Sequence, residues 1–71
     1  MKAIMTNDSI ISLENVKRVN KGRCNLPDKD LYRIYVHYEN GDSEMIECGE
    51  YKDGQNCQNE LFQKIFIILK G

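Results

Sequence analysis

The stretch that decides the fold is LYRIYVHYENGDSEMIEC, residues 31–48. Residues 31–39 alternate between two sets of side chains, and such alternation among aromatic and β-branched residues is typical of a half-buried β-strand. One set is Tyr32, Ile34, Val36 and Tyr38, and the other is Leu31, Arg33, Tyr35, His37 and Glu39. The Asn40-Gly41 pair indicates a hairpin turn, so residues 43–48 are predicted to return as a second, antiparallel strand.

The loop length sets which side chains meet across this hairpin. A two-residue turn at positions 40–41 would place apolar residues opposite charged ones on both faces. A three-residue loop, residues 39–41 with Gly41 left-handed, instead places matching side chains opposite one another, so we expect this bulged loop. Its predicted pairs are Ile34 with Ile46, Tyr35 with Met45, Arg33 with Glu47 and Tyr32 with Cys48. The predicted inner face is Tyr32, Ile34, Val36, Ile46 and Cys48. The predicted outer face is Arg33, Tyr35, His37, Met45 and Glu47.

The C-terminal stretch predicts one helix at about residues 56–70. Asn56 is the expected N-cap, and Gly71 follows Lys70 at the expected C-terminal end. Two adjacent rows of residues are predicted to cover the sheet, namely Cys57, Leu61, Ile65 and Ile68, and Phe62, Phe66 and Leu69. Ile67 lies outside both rows. It is therefore the predicted surplus apolar surface, which another copy or a partner protein would cover.

The rest of the chain predicts short strands and loops. Residues 9–21 fit two short strands broken near residues 14–15, although apolar residues at every third position leave a helix open. Residues 1–5 are a predicted edge strand, residues 22–30 a long loop, and residues 49–54 a second break. The predicted fold class is α+β, a single domain over residues 1–71. Its small antiparallel sheet has three to four strands, and the C-terminal helix packs on it.

Composition argues against several classes of function. The formal net charge is −1 and the pI is about 5.7, so the positive excess of nucleic-acid-binding proteins is missing. Three cysteines without a C-x-x-C pair, and no leader-like N-terminal pattern, favour a reducing cytoplasm. The longest apolar run, residues 65–69, is too short to cross a bilayer. We therefore expect a cytoplasmic protein that binds neither membranes nor, in general, nucleic acid.

The residues that could carry chemistry are sparse. The possible zinc ligands Cys24, His37, Cys48 and Cys57 lack the close spacing of zinc-binding pairs, and strand alternation puts His37 and Cys48 on opposite faces. A single histidine and no clustered acid and base give no catalytic pattern. We expect no metal, no cofactor and no enzymatic activity.

A resemblance extends over about three quarters of the chain. It is carried by ISLENVKRV at residues 11–19, by YRIYVHYENGDS at residues 32–43 and by the closing helix. This pattern resembles small uncharacterised proteins of phage, prophage and Gram-positive bacterial origin that have a β-meander and a C-terminal helix. The resemblance implies a stand-alone accessory protein, and it assigns no functional residue.

The function predicted from the sequence is a small interaction or regulatory module that forms homo-oligomers or binds another protein. A phage-type inhibitor of a host enzyme is one form of this hypothesis. The predicted partner-binding residues are Arg33, Tyr35, His37, Met45, Phe66 and Ile67. The alternative function is a nucleic-acid-binding module, with a basic stretch that a solvated loop also explains. That stretch consists of Lys17, Arg18, Lys21 and Arg23, with Tyr35 as its aromatic partner.

Overall fold

The computed structural model describes residues 2–6 and 8–71, which form five strands and one helix. The strands are β1 (Ala3–Met5), β2 (Ile10–Ser12), β3 (Val16–Leu26), β4 (Lys29–Tyr38) and β5 (Ser43–Glu50), and the helix is α1 (Tyr51–Lys70). Strands β1 and β2 form a small hairpin, whereas β3, β4 and β5 form an antiparallel sheet in that order. Helix α1 packs on β4 and β5. The predicted α+β class is confirmed.

The register of the β4–β5 hairpin agrees with the predicted bulged loop. Ile34 pairs with Ile46 and Tyr35 pairs with Met45, and Gly41 has a φ of 94°. One predicted pair is wrong, because Tyr32 lies opposite Gly49 and not opposite Cys48. The register shifts by one residue between Tyr32 and Arg33, and the extra residue makes a β-bulge.

The long loop predicted over residues 22–30 is wrong. Strands β3 and β4 continue pairing out to Leu26 and Lys29, so only Pro27 and Asp28 form the turn. Backbone hydrogen bonds extend this hairpin beyond the core, and they do not require apolar side chains. The composition of residues 22–26 therefore predicts a loop, although these residues form part of β3. The predicted break near residues 14–15 is confirmed, and the helix alternative for residues 9–21 is wrong.

The predicted edge strand over residues 1–5 is confirmed at Ala3–Met5, and Met1 lies outside the described residues. The hairpin of β1 and β2 contributes apolar side chains to the same core as the sheet and the helix. The buried apolar core consists of Ile4, Ile11, Leu13, Ile34, Val36, Ile46 and Ile65. The hairpin is joined to the sheet end by the Tyr38 hydroxyl, which donates to the Ser12 carbonyl over 2.6 Å.

Helix α1 begins at Tyr51, five residues before the predicted start, so the predicted break at residues 49–54 is also wrong. Glu50 is the N-cap residue and makes no side-chain capping bond, which is why no capping signal marks this position. Gly49, at a φ of 123°, lets the chain turn directly from β5 into the helix. The C-terminal end agrees with the prediction, since the Gly71 N–H donates to the Ile67 carbonyl over 3.1 Å.

Candidate interaction surfaces

The outer face of the three-stranded sheet carries four of the predicted partner-binding residues together, namely Arg33, Tyr35, His37 and Met45. Strand β3 adds Arg18, Asn20 and Gly22 to the same face, opposite His37, Tyr35 and Arg33 respectively. Helix α1 covers the other face, so the outer face is open among the described residues.

Several side chains of this outer face have partners within the chain. The ring of Tyr35 lies against Gly22, where a Cβ would overlap the ring. His37 Nε2 lies 3.0 Å from Asn20 Oδ1, and an Arg33 guanidinium nitrogen lies 3.3 Å from Glu47 Oε1. The face therefore holds a network of its own, with Met45 as its most exposed apolar side chain.

Tyr35 and Glu47 also raise the pKa of Arg33. A hydrogen bond with Tyr35 and, to a smaller extent, the contact with Glu47 raise the pKa of Arg33 above its ordinary value. The Nε of Arg33 is buried without a hydrogen-bond partner. Arg33 thus stays cationic at any physiological pH, and its charge is directed toward Glu47 on β5.

The other two predicted partner-binding residues, Phe66 and Ile67, lie on α1. Because α1 covers the inner face of the sheet, they form a separate surface from the outer face. Each is 60% exposed. The prediction that Phe66 would cover the sheet is wrong, because it lies at the flank of the helix that faces β3. We call the exposed residues along this side the α1 strip, which consists of Glu60, Gln63, Phe66, Ile67 and Lys70.

An apolar groove separates the α1 strip from strand β3. It has a volume of about 220 Å³. Its apolar lining consists of Val16, Val19, Phe62, Ile65, Phe66 and Leu69. Lys17 and Arg18 stand at its β3 side. The groove therefore combines an apolar floor with a cationic rim.

The four residues of the predicted basic stretch lie on β3, so their interpretation as a solvated loop is wrong. They also divide between the two faces of the sheet. Arg18 pairs with His37 on the outer face, whereas Lys21 lies on the helix side, where its Nζ donates to Asn59 Oδ1 over 2.8 Å. Arg23 follows Lys21 on that side. Tyr35 thus shares a face with Arg18 but not with Lys21 or Arg23.

The three cysteines are free thiols and occupy two places. Cys48, at the end of β5, lies beside Cys57 of α1, and Cys24 lies in the β3–β4 hairpin opposite Leu31. Burial, together with the neighbouring Cys57, raises the pKa of Cys48 to about 12. Across residues 2–6 and 8–71, no three His, Cys, Asp or Glu side chains come together as a metal site.

Gln58 is a residue that sequence reasoning missed. It is only 5% exposed, and its Nε2 donates to the carbonyls of Gly22 (2.9 Å) and Arg33 (2.7 Å). Gln58 thereby joins α1 to the backbones of β3 and β4. Its signal in the sequence is its spacing, because it stands seven residues before the buried Ile65 on the same side of the helix.

A second missed feature is the exposed pair of Met5 and Ile10 on the β1–β2 hairpin. They lie opposite one another and are 75% and 70% exposed.

In the described part of the chain, no helix is both long and apolar enough to cross a membrane. No protein-family model, curated protein or solved structure matches this chain.

Proposed function

We propose that this chain is a non-enzymatic protein-interaction module that forms a homodimer through the α1 strip. The observation that carries the proposal is the exposure of Phe66 and Ile67, two large apolar side chains next to each other in the last turns of α1. Leaving such a side chain in water forgoes about 1.5–3 kcal/mol of burial free energy. Adjacent exposed apolar residues with a polar rim are typical of a contact surface.

The charges of the α1 strip support a second copy as the occupant. Glu60 and Lys70 are equally distant along the helix from Ile65. If two α1 helices cross antiparallel about a twofold axis at that level, Glu60 of each copy lies beside Lys70 of the other. The same arrangement places Ile67 beside Gln63 of the other copy. A twofold contact of this kind buries Ile67 of each copy at its centre. The two Glu60–Lys70 ion pairs, one at each end of the contact, lie at its rim.

Sedimentation equilibrium over a range of protein concentrations tests the proposal. We expect a monomer–dimer equilibrium in the micromolar range, and we expect Ile67→Glu to weaken it at least tenfold, or about 1.4 kcal/mol. Ile10→Glu is the matched control, because Ile10 is the same residue type, is 70% exposed against 60% for Ile67, and lies on the β1–β2 hairpin. A wild-type monomer at high micromolar concentration contradicts the proposal, and so does an equal effect of the control.

A charge exchange tests the proposed geometry of the dimer. Glu60→Lys alone places like charges at both ends of the contact and should weaken the dimer. Adding Lys70→Glu to the same chain restores opposite charges and should recover most of the lost affinity. Failure of the second substitution to rescue the first would show that the helices do not pair in this orientation.

Two finer aspects of the predicted function are proposals of a different kind. The cytoplasmic location and the role as a phage-type accessory or inhibitor protein rest on the cysteine pattern and on the resemblance described above. Affinity capture from bacterial lysate, with the dimer-deficient Ile67→Glu variant alongside the wild type, tests the inhibitor role. A captured host enzyme whose activity changes on binding is the expected result.

A further inference from the structure

Strand β3 ends the sheet, and the edge opposite β4 pairs with no other strand among the described residues. An open edge presents outward N–H and C=O groups that an extended chain can use for pairing. We propose that the β3 edge binds an extended, acidic segment of a partner protein, which adds as a further strand. This proposal goes beyond the homodimer, because it concerns the edge of the sheet and a different partner. Of the α1 strip, Phe66 alone lines the groove beside that edge.

The charge of the β3 edge identifies the chemistry of the partner. Lys17, Arg18, Lys21 and Arg23 all lie on this strand. The ion pairs of the described residues, Lys29 with Glu50 and Arg33 with Glu47, involve none of them. The Nζ of Lys21 donates to a neutral amide, that of Asn59, and lies 5.0 Å from the centroid of the Phe62 ring. The edge therefore has positive charge that no carboxylate of this sheet neutralises.

The same charge disfavours a second β3 strand as the occupant. Two copies paired edge to edge would bring the cations of one strand against those of the other, and opposed like charges destabilise a strand pair. Strand β5 carries Glu44, Glu47 and Glu50, but Glu47 and Glu50 already pair with Arg33 and Lys29. The strands of the described residues thus include no free acidic strand of sufficient length.

The groove beside β3 predicts the side chains of the bound segment. An added strand directs every second side chain toward the helix side of the sheet. Next to Val16 and Val19, these side chains meet the apolar groove, and next to Lys21 and Arg23 they meet cations. The segment should therefore be apolar in one half and acidic in the other, on the side that faces α1.

Fluorescence anisotropy with a labelled synthetic peptide tests this proposal. In the peptide, threonine alternates with valine in one half and with glutamate in the other. A second peptide has the halves exchanged, because the added strand can run in either direction. We expect one of the two to bind, with an affinity that falls severalfold as salt rises. Two further versions of that peptide are N-methylated at odd or at even residues. The version whose methyl groups face β3 should lose binding, because it cannot pair with the edge, whereas the other version should keep it.

Protein variants locate the binding site. Arg23→Glu should weaken the peptide at least tenfold, whereas Lys64→Glu, which removes an exposed cation from α1, should leave the affinity unchanged. Ile67→Glu should also leave it unchanged, so a failed dimer and a failed peptide site give different results. If the peptide does not bind while the dimer still forms, only the β3 proposal is contradicted.

Several outcomes would overturn the proposal. These are no binding of either peptide, equal binding of both N-methylated versions, and an Arg23→Glu variant that binds the peptide as tightly as the wild type does. A single-stranded oligonucleotide is included as a competitor. If it binds through Arg23 while both peptides fail, the β3 cations serve phosphate recognition, and the nucleic-acid alternative replaces this one.

Discussion

The two halves of α1 attach to the rest of the molecule by different means. The first half, residues 51–58, contains few apolar side chains but lies close to the sheet at each turn. The Tyr51 hydroxyl donates to the Asp28 carbonyl, the backbone of Gly54 lies against that of Gly49, and Gln58 donates to two strand carbonyls. Hydrogen bonds and a close backbone approach hold this half.

The second half, residues 59–70, holds most of the apolar side chains of the helix. Ile65 is fully buried, whereas Phe66 and Ile67 remain exposed. The comparison teaches that the apolar content of a helix does not show where it is most closely docked. Here the polar half anchors α1, and the apolar half contributes both to the core and to the α1 strip, from which we infer self-association.

Substitution of Gln58 should have the largest effect on stability. Gln58→Leu removes both side-chain bonds to the carbonyls of Gly22 and Arg33 and leaves these groups facing an apolar side chain. We expect the free energy of unfolding to fall by about 2–3 kcal/mol, as measured by urea denaturation. Gln55→Leu, at an exposed position of the same half, is the control and should change it by less than about 0.5 kcal/mol. Equal effects of the two substitutions would mean that Gln58 does not anchor the helix.

Substitution of Gly54 should have the next largest effect. A Cβ at this position would overlap the carbonyl group of Gly49, which is backbone and cannot rotate away. Gly54→Ala should therefore destabilise the fold by about 1–2 kcal/mol, although alanine favours helices by about 1 kcal/mol over glycine. Thermal unfolding would show the loss as a lower Tm. A higher Tm would show that helix propensity outweighs the contact and that the first half of α1 is loosely docked.

The same difference explains how far the sequence predicts this structure. Regions in which apolar side chains alternate or recur were predicted correctly, including the register of Ile34 and Ile46, the left-handed Gly41 and the end of α1 at Gly71. Residues 51–54, at the start of α1, were predicted as part of a break because this segment is marked by a glycine that lies against Gly49 and not by apolar spacing or a capping residue. Gly and Gln mark such contacts only when the neighbouring strand is known.

The candidate surfaces were likewise predictable where side chains alternate or recur regularly along the chain. Alternation along β4 placed the outer-face residues together, and helical spacing identified Ile67 as surplus. The sequence could not show that Tyr35 packs on Gly22, or that the basic residues line an open sheet edge. Both facts depend on the pairing of β3 with β4, and the composition of residues 22–30 concealed that pairing.

Cys48 lies at the junction between β5 and the first half of α1. The pH dependence of the free energy of unfolding tests whether its thiol is buried there. Its pKa is raised from 9.0 to about 12, with burial as the main cause. Between these values the unfolded chain loses the proton and the folded chain keeps it. The contribution of Cys48 to stability is therefore complete below pH 9 and is lost progressively as the pH rises toward 12.

We expect the free energy of unfolding to fall over this range more steeply in the wild type than in Cys48→Ala. Urea denaturation at a series of pH values measures the difference, and the comparison with the variant cancels the contributions of the side chains that both proteins share. Parallel pH profiles for the two proteins would contradict the burial of this thiol. The junction would then be more open to water than the structure indicates.

Substitution of Ile67 should have the smallest effect on stability. It is also the sharpest test of the difference between the two halves of α1. In protein dilute enough to be monomeric, Ile67→Glu should change the free energy of unfolding by less than about 0.5 kcal/mol, because Ile67 lies outside the core. In concentrated protein, the wild type should gain stability with concentration by mass action, whereas the variant should not. Urea denaturation at two concentrations measures both quantities. A loss of 2 kcal/mol or more in the dilute sample would place Ile67 among the residues that hold the monomer together, and the exposed half of α1 would then be a second anchor and not an interface.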